Sequence, residues 1–205
     1  MSFASTIAEY PVMESFYTIQ GEGYYQGHAA YFIRLGGCDV GCVWCDVKES
    51  WDAGKHPHRK VNELIEEVKL HKANLAVITG GEPLLYDLAA LTTALHAANI
   101  RTNIETSGSS PLSGSWNWIC VSPKKFKPAL PEVVAKADEL KIVIYNRHDL
   151  AWAEKYASMT GERCRLYLQP EWSKAAEMLP LIIAYIKENP RWELSVQLHK
   201  YINVP

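Results

Sequence analysis

Three observations predict an α/β fold, an incomplete (β/α) barrel. Strand-like apolar runs alternate with amphipathic helical ones, the runs are short, and the chain has 205 residues where a closed eight-unit barrel usually takes about 250. Short buried strands separated by helices imply parallel β/α units, and the missing length leaves the ring unclosed. Val12 to Ile19 and Ala29 to Leu35 are the first two predicted strands, because β-branched and aromatic residues alternate there and glycines bound them. Val61, Leu64, Ile65 and Val68 recur at helical spacing, so Val61 to His71 is an amphipathic helix. Leu75 to Thr79 is the next strand, Asp87 to Ala98 a helix with Leu88, Leu91 and Leu95 on one face, and Thr102 to Glu105 a strand again. The pattern continues through strands Trp118 to Val121 and Leu140 to Tyr145, helix Leu150 to Ser158, strand Arg165 to Leu168, helix Ser173 to Lys187 and strand Glu193 to Leu198. Between Trp116 and Pro131 the helices thin out into proline-rich loops. No repeat, low-complexity tract or linker divides the chain, so 1–205 is expected to be one domain.

Composition narrows the function classes. A formal net charge of -2 leaves no electrostatic footprint for nucleic acid, and Lys124-Lys125-Phe126-Lys127 is too short a basic run to reverse that. No apolar stretch approaches the ~20 residues of a membrane span, and Met1 to Tyr10 lacks the basic start and apolar middle of a signal peptide. A cytoplasmic enzyme without a membrane or nucleic-acid partner is expected.

Chemistry concentrates in Cys38-Asp39-Val40-Gly41-Cys42-Val43-Trp44-Cys45. Iron–sulfur cubanes are held by soft thiolates, four of them in electron-transfer sites. The three here leave one iron open for chemistry. Cys120 and Cys164 sit in apolar runs and are expected to be buried strand residues, since free cysteine packs as a small hydrophobe. Five cysteines, an odd number, argue against a disulfide framework. A Cys3His zinc knuckle completed by His28, His56 or His58 is the alternative. Beyond the strand Leu75 to Thr79 come Gly80-Gly81-Glu82-Pro83, two glycines that expose backbone amides where strand ends bind small molecules. The same residues also suit an ordinary strand-to-helix turn.

The triplet and the glycine turn together resemble the radical S-adenosylmethionine superfamily, and the incomplete barrel is of that type. Phe16 to Gly23, with its Gln-Gly-Glu-Gly, then Phe32 to Cys38, and the carboxyl-terminal Gln197 to Pro205 resemble the 7-carboxy-7-deazaguanine synthase family, a likeness running from about residue 12 to the last residue. The resemblance implies a lyase of queuosine-type biosynthesis. One electron entering the cluster would cleave S-adenosylmethionine, and the resulting 5'-deoxyadenosyl radical would take a hydrogen from 6-carboxy-5,6,7,8-tetrahydropterin, whose ring contracts to 7-carboxy-7-deazaguanine with loss of ammonia.

Residue roles follow from the same likeness. Cys38, Cys42 and Cys45 hold the [4Fe-4S] cluster, with Trp44 shielding it. Ile19, Gln20, Gly21 and Glu22 form a pterin-binding segment, in which a glutamine supplies both donor and acceptor. Arg34 pairs with the substrate carboxylate through its forked guanidinium, and Thr79, His199 and the terminal carboxylate of Pro205 complete the substrate set. Trp44, Cys45, Asp46, Gly81 with Glu82, Glu105, Ser122-Pro123-Lys124 and Gln169-Pro170-Glu171-Trp172 match the cofactor-binding stretches. Implied partners are an electron donor such as flavodoxin or ferredoxin and a second subunit in a homodimer. One departure touches a magnesium ion: the family commonly carries Asp-Thr after the last cysteine, with the threonine hydroxyl on the metal, and this chain has Asp46-Val47. Within the superfamily, a glycyl-radical activating enzyme is the competing function. It has no need of the Gln20 and Glu22 segment or of a fixed carboxyl terminus.

Overall fold

The computed structural model describes residues 8–205, so the stretch 1–7 read for a leader lies outside the described residues. One nine-stranded sheet runs in the order β3-β1-β2-β4-β5-β6-β7-β8-β9. Its members are β1 (Glu9–Ile19), β2 (Ala29–Leu35), β3 (His58–Lys60), β4 (Leu75–Gly80), β5 (Arg101–Thr106), β6 (Trp118–Val121), β7 (Glu139–Ile144), β8 (Arg165–Pro170) and β9 (Trp192–Leu194). Helices α1 (Val61–Leu70), α2 (Ala89–Ala97), α3 (Pro131–Val134), α4 (Asp149–Ala157), α5 (Ala175–Glu188) and α6 (Leu198–Ile202) complete the chain. From β2 through β9 every neighbouring pair is parallel. The edge strands β3 and β9 do not meet, and the sheet is the unclosed ring that the chain length implies.

Period-2 alternation explains both faces. In β7, Leu140, Ile142 and Ile144 are fully buried toward the helical layer, while Glu139, Lys141 and Val143 lie on the opposite, concave face. Outside the ring, Val61, Leu64, Ile65 and Val68 of α1 and Leu91 and Leu95 of α2 pack with Tyr31, Ile33, Ala76 and Ile78. Leu64, Leu91 and Leu95 have 0% exposure, and each such side chain contributes roughly 1.5–3 kcal/mol by leaving water. A second outer core joins Val133 and Val134, Ala153 and Tyr156, and Met178 and Ile182 to β6, β7 and β8. Inside, Tyr25, Ala30, Phe32, Leu75 and Val77 fill the floor, with Phe16 and Phe32 stacked at 5.4 Å.

Several expectations need correction. β1 starts earlier, at Glu9, and runs antiparallel to β2 and to the unforeseen β3, with a register shift between Val12 and Glu14. The final strand is β9 alone, and the tail from Leu198 turns helical as α6, with Leu198 N–H on the Gly21 carbonyl instead of on a sheet neighbour. β6 matches the expected strand Trp118 to Val121, while the short α3 is unforeseen; Pro131 occupies its first turn, where the missing N–H costs nothing. Cys120 is buried in β6 as expected, whereas Cys164 precedes β8, is half-buried, and aims its thiol at the Arg165 carbonyl.

Candidate active site

The carboxyl ends of the parallel strands open into a cavity of about 530 Å³ whose lining includes Cys38, Cys42 and Cys45. Cys38 leaves β2 through Gly36 and Gly37, and the loop is tied back by Gly37 N–H to the Ser50 carbonyl at 2.6 Å and Cys38 N–H to the Trp51 carbonyl at 3.1 Å. The turn after β4 presses against this loop. Gly81 N–H donates to the Leu35 carbonyl at 3.0 Å and Glu82 N–H to the Gly37 carbonyl at 2.8 Å. The glycine turn therefore spends these amides on the fold instead of exposing them. A Cβ on Gly81 would strike the Gly37 carbonyl and Cys38 Cβ, and Gly80 has φ +136°, so both positions require glycine. What the turn offers a ligand is close backbone approach beside the cysteines.

This donor set fits an iron–sulfur cluster. His28, His56 and His58 already face the Tyr25 carbonyl, the Glu49 carbonyl and Glu9. Among the described residues no three His, Cys, Asp or Glu side chains converge on one ion, which counts against a zinc knuckle. A cubane places each thiolate on a different iron, so such convergence is not required. Burial raises the Cys42 thiol to about 11, against the lowering influence of the Lys124 ammonium, and burial also raises Cys38. Binding iron would therefore release protons from these thiols. Trp44 is half-buried over the loop, 6.2 Å from the Phe126 ring, with the Lys124 ammonium 5.9 Å from its centroid.

The same cavity holds a set of charges that comes from distant parts of the chain. Glu22, in the turn after β1, accepts from Lys141 of β7 and, at 3.0 Å, from Gln197. Burial raises the Glu22 carboxyl, but Lys141 and Gln197 outweigh it and bring it down to about 2. Glu105, on β5, receives Gln20 Nε2 at 2.7 Å and Lys141 Nζ at 3.5 Å. Asp46 accepts from Lys200 at 2.9 Å; burial acts to raise its carboxyl, and the Lys200 bond holds it below its ordinary range. Burial lowers His199, whose ring sits where any Cβ on Gly21 would fall. The tail is held there by Leu198 N–H to the Gly21 carbonyl at 2.9 Å and by Tyr201 packing on Trp172 at 5.3 Å.

Glu22, Arg34, Trp44, Cys45, Asp46, Thr79, Gly81, Glu105, Ser122, Lys124, Gln169, Pro170, Glu171, Trp172 and His199 line the cavity together. Ile19, Gln20, Gly21, Glu82, Pro123 and Pro205 are not among its lining residues. Gln20 is buried and spends its amide on Glu105 and, through Oε1, on the Glu22 N–H at 3.1 Å, so it supports the site from behind. The Glu82 carboxylate is fully buried and accepts from Leu84 N–H, Thr106 Oγ1, and both the N–H and Oγ of Ser107. Its side chain ties the β4 turn to the end of β5. Pro205 is exposed, and its oxygen accepts from Thr18 Oγ1 at 3.2 Å. Arg34 reaches the cavity with one nitrogen, Nε, on Glu14 at 2.6 Å. Lys124 donates to the Ser122 carbonyl at 2.5 Å and to Ser122 Oγ at 2.6 Å.

Lys141, Gln197, Lys200 and Ser50 also line the cavity; Gln197 and Lys200 belong to the family-like tail without an assigned role, and Lys141 and Ser50 have no part in the sequence motifs. Lys141 did leave a signal: in Glu139-Leu140-Lys141-Ile142-Val143-Ile144 the charges alternate with apolar residues, which puts both on one face of a buried strand. The Val47 side chain lines the cavity as well, and its carbonyl accepts from Ser50 Oγ at 2.7 Å.

Comparison with known proteins agrees with this geometry. Residues 32–145 match the model of the Radical SAM superfamily. A 7-carboxy-7-deazaguanine synthase of Flavobacterium psychrophilum is 53% identical over 195 residues, covering 95% of this chain and 92% of that protein. One from Synechocystis is 45% identical, covering 95% and 93% respectively. The crystal structure of QueE from Escherichia coli superposes with a TM-score of 0.84 at 33% identity, over 93% of this chain and 95% of that one.

Proposed function

This chain belongs to the 7-carboxy-7-deazaguanine synthase family of the radical S-adenosylmethionine superfamily, and from that premise we propose that it contracts the ring of 6-carboxy-5,6,7,8-tetrahydropterin to 7-carboxy-7-deazaguanine with loss of ammonia. The observation that carries this reading is the meeting of the three cysteines, the Gly81 turn, Glu22 and His199 around one cavity. A glycyl-radical activating enzyme has no use for a carboxyl-terminal segment folded over the Gly21 turn.

When bound, the cluster and S-adenosylmethionine supply reductive bond cleavage and hydrogen-atom abstraction; Cys38, Cys42 and Cys45 would hold the first, and Gly81, Glu105, Ser122 and the Gln169 to Trp172 segment the second. The remaining work belongs to this chain's own groups. Glu22, kept ionised, accepts from ring N–H groups. Arg34 has guanidinium donors beyond the one on Glu14 with which to receive the substrate carboxylate. His199, held neutral by burial, presents a donor and an acceptor at the pterin edge. Thr79 adds a hydroxyl, and by family resemblance the Pro205 carboxylate, which rests on Thr18 outside the cavity lining, belongs to the substrate set. A small electron donor such as flavodoxin or ferredoxin, a cytoplasmic setting, a homodimer and one domain over 1–205 belong to the same reading. Among the described residues no helix is long and apolar enough to cross a membrane. Magnesium would be held weakly, because the Val47 side chain offers no oxygen where the family has a threonine hydroxyl.

The test is an anaerobic reaction with S-adenosylmethionine, a reductant and the carboxytetrahydropterin. Growth of the deazaguanine chromophore is expected. A brown, iron-loaded protein that cleaves S-adenosylmethionine yet yields no deazaguanine would overturn the reading.

A further inference from the structure

Lys141 closes a ring of hydrogen bonds that joins three separate parts of the barrel. Its ammonium, with only 4% of the side chain exposed, donates to Glu22 and at 3.5 Å to Glu105. Glu105 receives Gln20 Nε2 at 2.7 Å, and Gln20 Oε1 receives the Glu22 N–H at 3.1 Å, which returns the circuit to its start. Both carboxylates line the cavity. Glu22 lies beside Gln197 and the His199 tail, and Glu105 sits on β5 next to Cys120 of β6.

Two carboxylates at one buried site cannot both stay ionised without a cation, since like charges in a poorly solvated space push one of them to take up a proton. A protonated Glu22 would donate where a ring N–H needs an acceptor. Other charged and titratable groups surround the site: Glu139 on the same strand, Cys120, Tyr167 of β8, Lys124, Asp46, and His199 with Lys200 on α6. Among these, Lys124 is turned onto Ser122 and Lys200 onto Asp46, and neither donates to Glu22 or Glu105. Lys141 is the cation placed between them.

We propose that Lys141 is a positioning residue whose single charge is shared by the Glu22 half and the Glu105 half of the cavity, so that one buried cation sets the acceptors for both pterin and cofactor. This rests on the functional reading given above. The shared cation explains why a lysine occupies a strand position that faces a buried interior: replacing it with an apolar residue would leave two carboxylates uncompensated, which is the costly way to break a buried ion pair.

The test compares wild type, Lys141→Met, Lys141→Arg and the Lys141→Met/Glu105→Gln double variant, each reconstituted with its cluster. KM for the pterin and Kd for S-adenosylmethionine are measured from neutral to mildly acidic pH. Wild type and K141R should show a nearly flat pterin KM. In K141M the KM should rise as pH falls, about tenfold per pH unit below the raised carboxyl pKa, and S-adenosylmethionine binding should weaken in parallel. Removing the second carboxylate in K141M/E105Q should flatten the pterin profile again, which a packing role for Lys141 would not produce. If K141M fails to load iron while the double variant loads it, the shared charge is equally supported. A flat profile in K141M, or a double variant no flatter than K141M, overturns the assignment of Lys141 alone. A wild type that never converts the pterin overturns the functional reading, and this inference with it.

Discussion

Glu82→Gln is the sharpest probe of how the glycine turn is built. The substitution is isosteric and leaves no cavity, so its cost is confined to hydrogen bonding. Oε1 accepts from Leu84 N–H at 3.0 Å and Thr106 Oγ1 at 2.5 Å, and Oε2 from Ser107 N–H at 2.9 Å and Ser107 Oγ at 2.5 Å. Whichever oxygen becomes the amide nitrogen then faces a backbone N–H. Hydroxyls can rotate to accept, but a backbone N–H cannot, and leaving it buried and unpaired costs about 1–3 kcal/mol. The surviving bonds lose their charge assistance, which is roughly half their strength and adds on the order of 2 kcal/mol. A loss of roughly 3–5 kcal/mol follows, and at about 2–4 °C per kcal/mol for a chain of this size the melting temperature should fall by roughly 6–20 °C. The assay is thermal unfolding of wild type and E82Q, each with and without its cluster, alongside iron and sulfide content. Iron should still load well below the melting temperature, because Cys38, Cys42 and Cys45 are untouched. A variant that melts with wild type would refute the four-bond account of the turn, and one that melts normally but no longer binds S-adenosylmethionine would make Glu82 a direct ligand.

Cys38→Ala, Cys42→Ala and Cys45→Ala should each lose iron and turnover, whereas Cys120→Ala and Cys164→Ala should keep both and lose only packing, as iron analysis and activity will show. Residues appended after Pro205 should raise the pterin KM with iron content unchanged, since they displace a carboxylate held at Thr18; an unchanged KM removes Pro205 from the substrate set. After chelation, turnover should respond weakly to added magnesium in wild type and more strongly in Val47→Thr, and a wild type inactive without magnesium would mean that another oxygen replaces the threonine. Stability should fall on acidification in two stages. His199 has its folded pKa lowered by burial, so below 6.5 the unfolded chain takes the proton first and stability declines. Glu22 is brought from 4.5 down to about 2 by Lys141 and Gln197 against the opposing effect of burial, so its contribution is full above 4.5 and is lost toward 2. Denaturant titrations across that range should show both declines, and the second should shrink in Glu22→Gln, leaving the part that Asp46 and Glu67 contribute.

What the chain disclosed by itself was local. The cysteine triplet, the Gly80-Gly81 turn and the alternation of buried strands with helices are patterns within a few residues, where spacing alone determines which thiols share a loop and which face of a strand is apolar. Element ends differ by one residue at α1 and β4, and by more at the start of β1 and the end of β9, because strand pairing and helix fraying decide them after the chain has folded. Tertiary structure decided what the motifs are spent on. Gln20 became a support for Glu105 instead of a wall of the cavity, Glu82 a staple between β4 and β5, and the Gly81 and Glu82 amides ties to the Leu35 and Gly37 carbonyls. The tail became α6, docked through Leu198 N–H on the Gly21 carbonyl instead of extending β9. Lys141 meets Glu22 across 119 positions of sequence. The physical reason is that a charge buried among apolar residues has no local mark of its partner: the pair exists only where the barrel's curvature brings β1, β5 and β7 to one interior.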